Sequence, residues 1–461
     1  VLSDALAIFV SPNGLDTNPG TMEQPVQTLA RGVSLATTKS SHRVVACATA
    51  GSFTTALSLS GAGDDFGVQI YGGVTCPATG QWTYIGQKTV VAPTSTGPAL
   101  SVSGLTKGIT IVDFEFDAQP GSSSVAGDSS IGAFFANTTG AALQRVKITA
   151  KDGVAGAPGS TFNNASLSAN LNGGNASNSA PGAVNKCGCA DGSSSTGGQG
   201  GGSAAGGGTQ TAGAGLPSYA GGGTAGTNGA ACGAGGQAAT ANGVSAAATT
   251  ADGIGAVQWG TLSSTAWAPT PGAKGSDGQP GQGGGGGGGE QVVGVVVGQG
   301  GGGACGGCGG GGGGLGGGGG SSIALLSSSS SVSLSSCQLS PGNGKNGGKG
   351  ADGAAGVAGG LEGTQFAPGC AGGNGGAGAG GNGGGGGAGG LSLGIGYSVT
   401  APVIDGVTVT DAATNSIVTL QGAGTGGPGG NAGGAAPGGG NAGNAGTKGV
   451  DGIAYAVKAL P

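Results

Sequence analysis

The densest group of ionisable residues is Asp113, Glu115 and Asp117, alternating with Val112, Phe114 and Phe116. On an extended strand alternate side chains share a face, so the three acids are expected together on an outer surface. Acid–base or cation-assisted chemistry would be sought in such a cluster. Arg145 and Lys147 lie 32 residues after Asp113 and Glu115, in a similar apolar pattern. If the two segments stack, Asp113 faces Arg145 and Glu115 faces Lys147. The cluster is then an ion-pair ladder, each exposed rung worth less than ~1 kcal/mol. The ladder is the preferred expectation, because the later segments offer Ser336 and Gln338 in place of further acids or a base.

Other residues with chemical potential are weaker candidates. His42 is the single histidine and has no second His or Cys–Asp group near it in sequence, so no triad is expected. Cys305-Gly306-Gly307-Cys308 has the spacing of a redox or zinc pair, but no second Cys-x-x-Cys exists. A structural disulfide role is expected instead. Gly283–Gly289 and Gly309–Gly314 are glycine-rich like phosphate-binding loops, yet neither is followed by Lys-Ser or Lys-Thr. Asn137-Thr138-Thr139, Asn164-Ala165-Ser166 and Asn175-Ala176-Ser177 fit a glycosylation pattern and are read as chance matches. No catalytic residue, metal site or cofactor is expected.

Whatever positions these residues is built largely of glycine. Of 461 residues 121 are glycine and 19 proline, against an average glycine usage of ~7%. Charged residues are only 7%, so self-repulsion does not hold the chain open. Ordered glycine must then be held by backbone hydrogen bonds, since it has no side chain to bury. A net charge of −5 with 14 basic residues argues against nucleic acid. No apolar run is long enough for a membrane span. The nine cysteines fit an oxidising compartment, and a start at Val1 fits a secreted, processed product.

A repeat organises the apolar residues. The pattern apolar-x-x-apolar-x-apolar occurs at Ile111/Phe114/Phe116, Leu143/Val146/Ile148, Leu334/Cys337/Leu339 and Ile404/Val407/Val409. Each copy is read as one strand and follows a leader strand, at Ala99–Val102, Ile131–Phe135, Ile323–Leu326 and Leu391–Ile395. Two-strand units recurring around insertions of any length are coils of a solenoid. Pro25–Ala36 has helical spacing with Pro25 at its first turn, and is expected to form a short amphipathic helix. Within the insertions glycine recurs every three residues, as at 272–287, 344–359, 372–390 and 440–452. Three residues per turn is the period of an extended left-handed helix. Too little proline is present for collagen, so a polyglycine II bundle is expected, with glycine at every contacting edge.

Ile8-Phe9-Val10-Ser11-Pro12-Asn13-Gly14-Leu15-Asp16-Thr17-Asn18-Pro19-Gly20-Thr21, followed by Pro25-Val26-Gln27-Thr28-Leu29, resembles the N-terminal entry of pectin-lyase-like right-handed β-helix proteins. Val44–Ala48 and Ile70–Cys76 resemble glycine-rich surface proteins of myxobacterial type. The resemblance covers roughly residues 6–150 and the later strands. It implies secretion and a capped first coil, and enzymes of this kind use an acidic outer face for calcium-assisted sugar elimination or paired-acid hydrolysis. The fold alone does not fix an activity.

The expected fold is all-β: a right-handed parallel β-helix with a short capping helix and a polyglycine II bundle on one side. Coils are placed at 1–153, 321–341 and 391–421, glycine-rich insertions at 154–320, 342–390 and 422–448, and a terminal strand at 449–461. Cys337 takes the inward position of Phe114, Val146 and Val407, so it is expected to be a buried free thiol. Eight cysteines remain. Cys47 and Cys76, in successive early strands, are the expected pair. Cys305 and Cys308 would lie roughly 9 Å apart in such a helix, beyond the ~7 Å that a disulfide spans. They are expected to bond to cysteines drawn from Cys187, Cys189, Cys232 and Cys370. The apolar ends (Ile8 and Val10; Ile453, Tyr455 and Val457) are expected to join head to tail, the C-terminal one being uncapped. The leading expectation is a non-enzymatic extracellular structural protein forming a surface filament with itself as partner. The alternative is a secreted carbohydrate-active or carbohydrate-binding protein that meets cell-surface polysaccharide through Trp82, Trp259 or Trp267.

Overall fold

The structure, a computed structural model, describes residues 2–461 apart from 62, 204–208, 234, 239, 251 and 293–295. Among the described residues it is mostly strand, with one helix, several parallel sheets and no closed barrel. The chain passes repeatedly through a six-stranded, an eight-stranded and a four-stranded sheet. Leu100–Ser103, Ile109–Val112 and Phe114–Asp117 make one pass, and Ser130–Ala136, Ala141–Gln144 and Lys147–Thr149 the next. Ser322–Ser328, Val332–Ser335 and Gln338–Ser340 make another. Equivalent positions pair in parallel: Ile111, Leu143, Leu334 and Ile404 in one row, Phe116, Ile148 and Leu339 in another. Their side chains fill one buried cluster that also takes in Ile8, Ile70, Phe114, Val146 and Val457.

The apolar hexad is not a single strand. It is two strands in two sheets, with a residue in the left-handed region directly after the first: Asp113 (φ 61°), Arg145 (φ 52°) and Ser336 (φ 52°). The bend turns Ile111 and Phe114 inward together, which is why two residues separate them. It also removes Asp113 from the alternating outer row, leaving it buried at the corner. In the last copy Asp405 (φ 45°) and Gly406 (φ 83°) form a two-residue turn, pairing Ile404 antiparallel with Val407. Val407 is therefore 64% exposed rather than inside, and Val409 is only partly buried. Val418 takes the next place beside Leu339.

The helix is shorter than its periodicity implies, spanning Leu29–Ala36 with Thr28 as N-cap. The Thr28 Oγ1 accepts the Arg31 N–H, and the Asp16 carboxylate accepts the Gln27 and Thr28 N–H groups. Val26 is diverted to bridge Val10, so Pro25 lies outside the helix. A Cβ at Gly32 would meet Val10 Cγ2 at 2.4 Å, so only glycine permits this helix–sheet approach.

Both ends are covered, contrary to the expected open C-terminal edge. At the start, Phe9 N donates to Gly20 O and Val26 N to Phe9 O. At the finish, Ala454–Ala459 pairs with Ser392–Ser398 on one side. On its other side Val457 and Ala412 exchange N–H···O bonds, and Ala456 N donates to Ala413 O. Ile8, Val10 and Val457 are buried, whereas Ile453 and Tyr455 are half-buried against a second cluster. The segment 411–413 satisfies the edge that the sequence leaves bare.

The glycine-rich segments hold one another by backbone bonds in steps of three. The N–H groups of Gly272, Gly275, Gly278, Gly281, Gly284 and Gly287 donate to the carbonyls of Gly316, Gly313, Gly310, Gly307, Ala304 and Gly301, at 2.8–2.9 Å. The N–H groups of Gly307, Gly310, Gly313 and Gly316 donate in turn to Gly376, Ala379, Asn382 and Gly385. Close approach is enforced throughout: a Cβ at Gly310 would stand 1.9 Å from the Ala354 carbonyl oxygen.

Candidate functional site

Asp113, Glu115 and Asp117 are each committed to a cation. The corner at residue 113 aims the Asp113 carboxylate along the stack, where Arg145 Nε and Nη2 each donate to it at 2.8 Å. Tyr84 Oη donates to the same group at 3.0 Å. Burial opposes ionisation of Asp113, but the guanidinium and the phenol outweigh it and hold the carboxyl below the usual carboxylate range. The same pairing raises the pKa of Arg145. Glu115 meets Lys147 at 2.7 Å. The ladder then continues beyond the expected rungs, with Asp117 to Lys151 and Asp152 to Lys345, both at 2.6 Å. A carboxylate fixed in a fork and held ionised is a poor proton donor, and three hydrogen bonds already occupy this one. Beside this corner lies a groove of 560 Å³ whose walls include Arg43, Tyr71, Tyr84 and Arg145.

The tryptophans proposed as stacking platforms are used in packing. Trp82 is buried edge-on against Phe9 at 5.0 Å, with Nε1 donating to Met22 O. Trp267 is buried and donates to Ser321 Oγ, and the half-buried Trp259 donates to Asp451 O. His42 stacks edge-on against Phe66. Asn175 Oδ1 accepts the Thr364 N–H, and Asn164 is buried with Oδ1 accepting from Asp191. No described group of three or more His, Cys, Asp or Glu side chains could hold a metal ion.

Cys47 is bonded to Cys76, Cys187 to Cys305, Cys189 to Cys308 and Cys232 to Cys370. Cys305 and Cys308 thus reach one hairpin, Asn185–Gly188 with Ser194–Gly197, whose first strand and following residue carry their partners. Cys337 is free and buried among the apolar rows, and burial raises its thiol pKa.

The first polyglycine tract has no spare donors for phosphate. From Gly283 to Gly289, each N–H is given to a neighbouring segment, at Leu216, Ala304, Ala241, Gly213, Gly301, Gly236 and the Asn228 side chain. Donors at the rim that lack a backbone acceptor are met by amide or carboxylate side chains. Asn343, Asn346 and Asp352 accept from Gly422, Thr425 and Asn431 at 3.2, 2.9 and 2.8 Å. In the same step of three, Lys349 corresponds to Pro428, which has no N–H to satisfy.

A second rim device passed unnoticed in the sequence although it is written there. Lys-Gly-x-Asp-Gly occurs at 274–278, 349–353 and 448–452. In each, the Lys pairs with the Asp three residues on. That Asp also accepts an N–H from an adjacent segment, from Gly312, Asn431 and Gly426 respectively.

These features define an all-β, disulfide-stapled protein of stacked parallel strands with a backbone-bonded glycine region. Comparison with protein-family models, curated proteins and solved structures finds no match to the chain. The four disulfides are consistent with a secreted protein, and no described helix is long and apolar enough to cross a membrane.

Proposed function

We propose that this is a non-enzymatic extracellular structural protein: a right-handed parallel β-helix that carries a polyglycine II bundle as a stiff arm. One observation supports the arm above all. Three consecutive residues, Gly312, Gly313 and Gly314, donate their N–H groups to three different segments, at Asp277, Asn382 and Ser160. A β-strand sends successive donors to two sides only, whereas a helix with three residues per turn sends them to three. Residues 301–320 on this geometry make a rod roughly 60 Å long. The committed carboxylates of the ladder support the non-enzymatic part of the reading.

Self-association stays part of the proposal. The backbone at Phe9 and at Val457 is already bonded within the chain, so a head-to-tail contact would use the exposed edge at Val407–Thr408 or side chains. Small-angle scattering of the oxidised chain, with negative-stain images of native material, tests the reading. An elongated particle with a persistent arm is expected. A flexible, coil-like glycine region would overturn the arm. Polysaccharide turnover that disappears in Asp113→Asn would overturn the non-enzymatic assignment.

A further inference from the structure

The rod of residues 301–320 ends beside the stacked sheets at Gly320, where Gly320 N donates to Val154 O. Its other end is therefore held away from them, and the chain forms a cleft of 650 Å³ there. Asn178, Gln199 and Gln210 line this cleft with the buried Gln299 at its base, and Pro181 and Val297 supply apolar wall. No charged side chain is among the described residues that line it. The amides stand on fixed backbone. Gln299 and Phe366 exchange N–H···O bonds at 2.9 Å, Gly213 N donates to Gln199 O, and Asn228 Nδ2 donates to Gln210 O. Gln199 Nε2 reaches Gln210 Oε1 at 3.3 Å, so two of the amides already bridge one wall. The Cys232–Cys370 disulfide lies at this end too, Cys370 O accepting from Gly301 N.

The geometry points to a binding site for a neutral, hydroxyl-rich ligand, namely the sugar units of an uncharged glycan. A carboxamide offers donors and an acceptor side by side, and adjacent hydroxyls present the same combination. Among the described lining residues an anionic ligand would find no cation and a cationic one no carboxylate. A purely apolar ligand would desolvate the polar edges of Asn178, Gln199 and Gln210 and return no hydrogen bond to them. The volume falls within the ~300–1,000 Å³ common for small-ligand sites. A rigid arm ending in such a cleft would present it clear of the β-helix. This goes beyond the structural reading. Failure of sugar binding leaves the arm standing, whereas a flexible arm in scattering removes the basis of both.

The test is calorimetric titration of the oxidised full chain with malto-, cello- and chito-oligosaccharides and dextran, beside oligogalacturonate as an acidic probe. Binding of at least one uncharged probe is expected, little affected by salt. It should weaken at least tenfold in Gln199→Ala/Gln210→Ala. Gln210→Glu, at an exposed position, gives a second variant in case the double one misfolds, and should weaken binding similarly. No uncharged probe binding at millimolar concentration, preference for the acidic probe, or full binding by both variants would overturn the proposal.

Discussion

The stacked sheets and the glycine bundle are ordered by opposite means. In the sheets, rows such as Ile111, Leu143 and Leu334 bury side chains, and the backbone bonds follow the strands. In the bundle there is almost nothing to bury, and order comes from backbone donors satisfied in several directions. A side-chain core tolerates a change of shape by repacking. A backbone core has no rotamers to adjust, so its tolerance for added atoms is lower although its composition looks permissive. Low complexity in sequence is here high specificity in contact.

The largest effect is expected from adding one methyl group. Gly310→Ala should cost about 4 kcal/mol or more, because a Cβ cannot coexist with the Ala354 carbonyl and the neighbouring segment must move. Gly188→Ala, with nothing within 4 Å of its Cβ, should stay within about 0.5 kcal/mol. Equal melting temperatures for the two would show that the bundle is loosely packed. Phe114→Ala removes a fully buried ring from the side-chain core and should cost about 3–5 kcal/mol. Hydrogen exchange should then quicken in the sheets more than in the bundle; equal acceleration would make the two regions one cooperative unit.

Reduction separates them further. Three disulfides with sequence separations of 118, 119 and 138 tie the glycine-rich region, against one of 29 in the early strands. Replacing Cys187 and Cys305 by Ser should cost about 2–5 kcal/mol and lower amide protection only in the bundle. A smaller change distinguishes rim donors that need an acceptor from those that do not. Asn346→Ala strands the Thr425 N–H and should cost about 1 kcal/mol, whereas Lys349→Ala, level with Pro428, should cost under about 0.5 kcal/mol in a denaturant melt.

The smallest effect is that of acid. The Asn431 N–H and Lys349 hold the Asp352 carboxyl below its ordinary range, and Lys448 with the Gly426 N–H does so for Asp451. Lowered folded-state values contribute stability above the unfolded carboxylate pKa near ~4, lost as pH falls through the lower values. The bundle should therefore melt at lower temperature below about pH 4. Unchanged melting between neutral pH and pH 3 would count against these latches.

Much of this was legible locally and little of it at long range. The inward rows could be read from apolar spacing, and the step of three in the glycine tracts from counting. The ladder followed from one offset, which places Asp113 beside Arg145. The left-handed corners could not be read, because Asp113, Arg145 and Ser336 share no residue type, only a position. Asp405-Gly406 was a readable hairpin signal that a competing repeat obscured. The cover at 411–413 and the partners of Cys305, Cys308 and Asn346 depend on which segments become neighbours, across 79 residues or more in the case of Asn346 and Thr425 and 118 in that of Cys305 and Cys187. No local pattern carries that information.

The step of three also governs how such a protein can change in length. A segment in the bundle that gains or loses one residue shifts every later donor onto the wrong neighbour and brings a side chain such as Ala354 or Ala379 to a position that admits only hydrogen. Gain or loss of a whole triplet restores the register one step along. On the proposed arm, a change in length by whole triplets would preserve the contacts between segments, whereas any other increment would disrupt them along the rest of the segment.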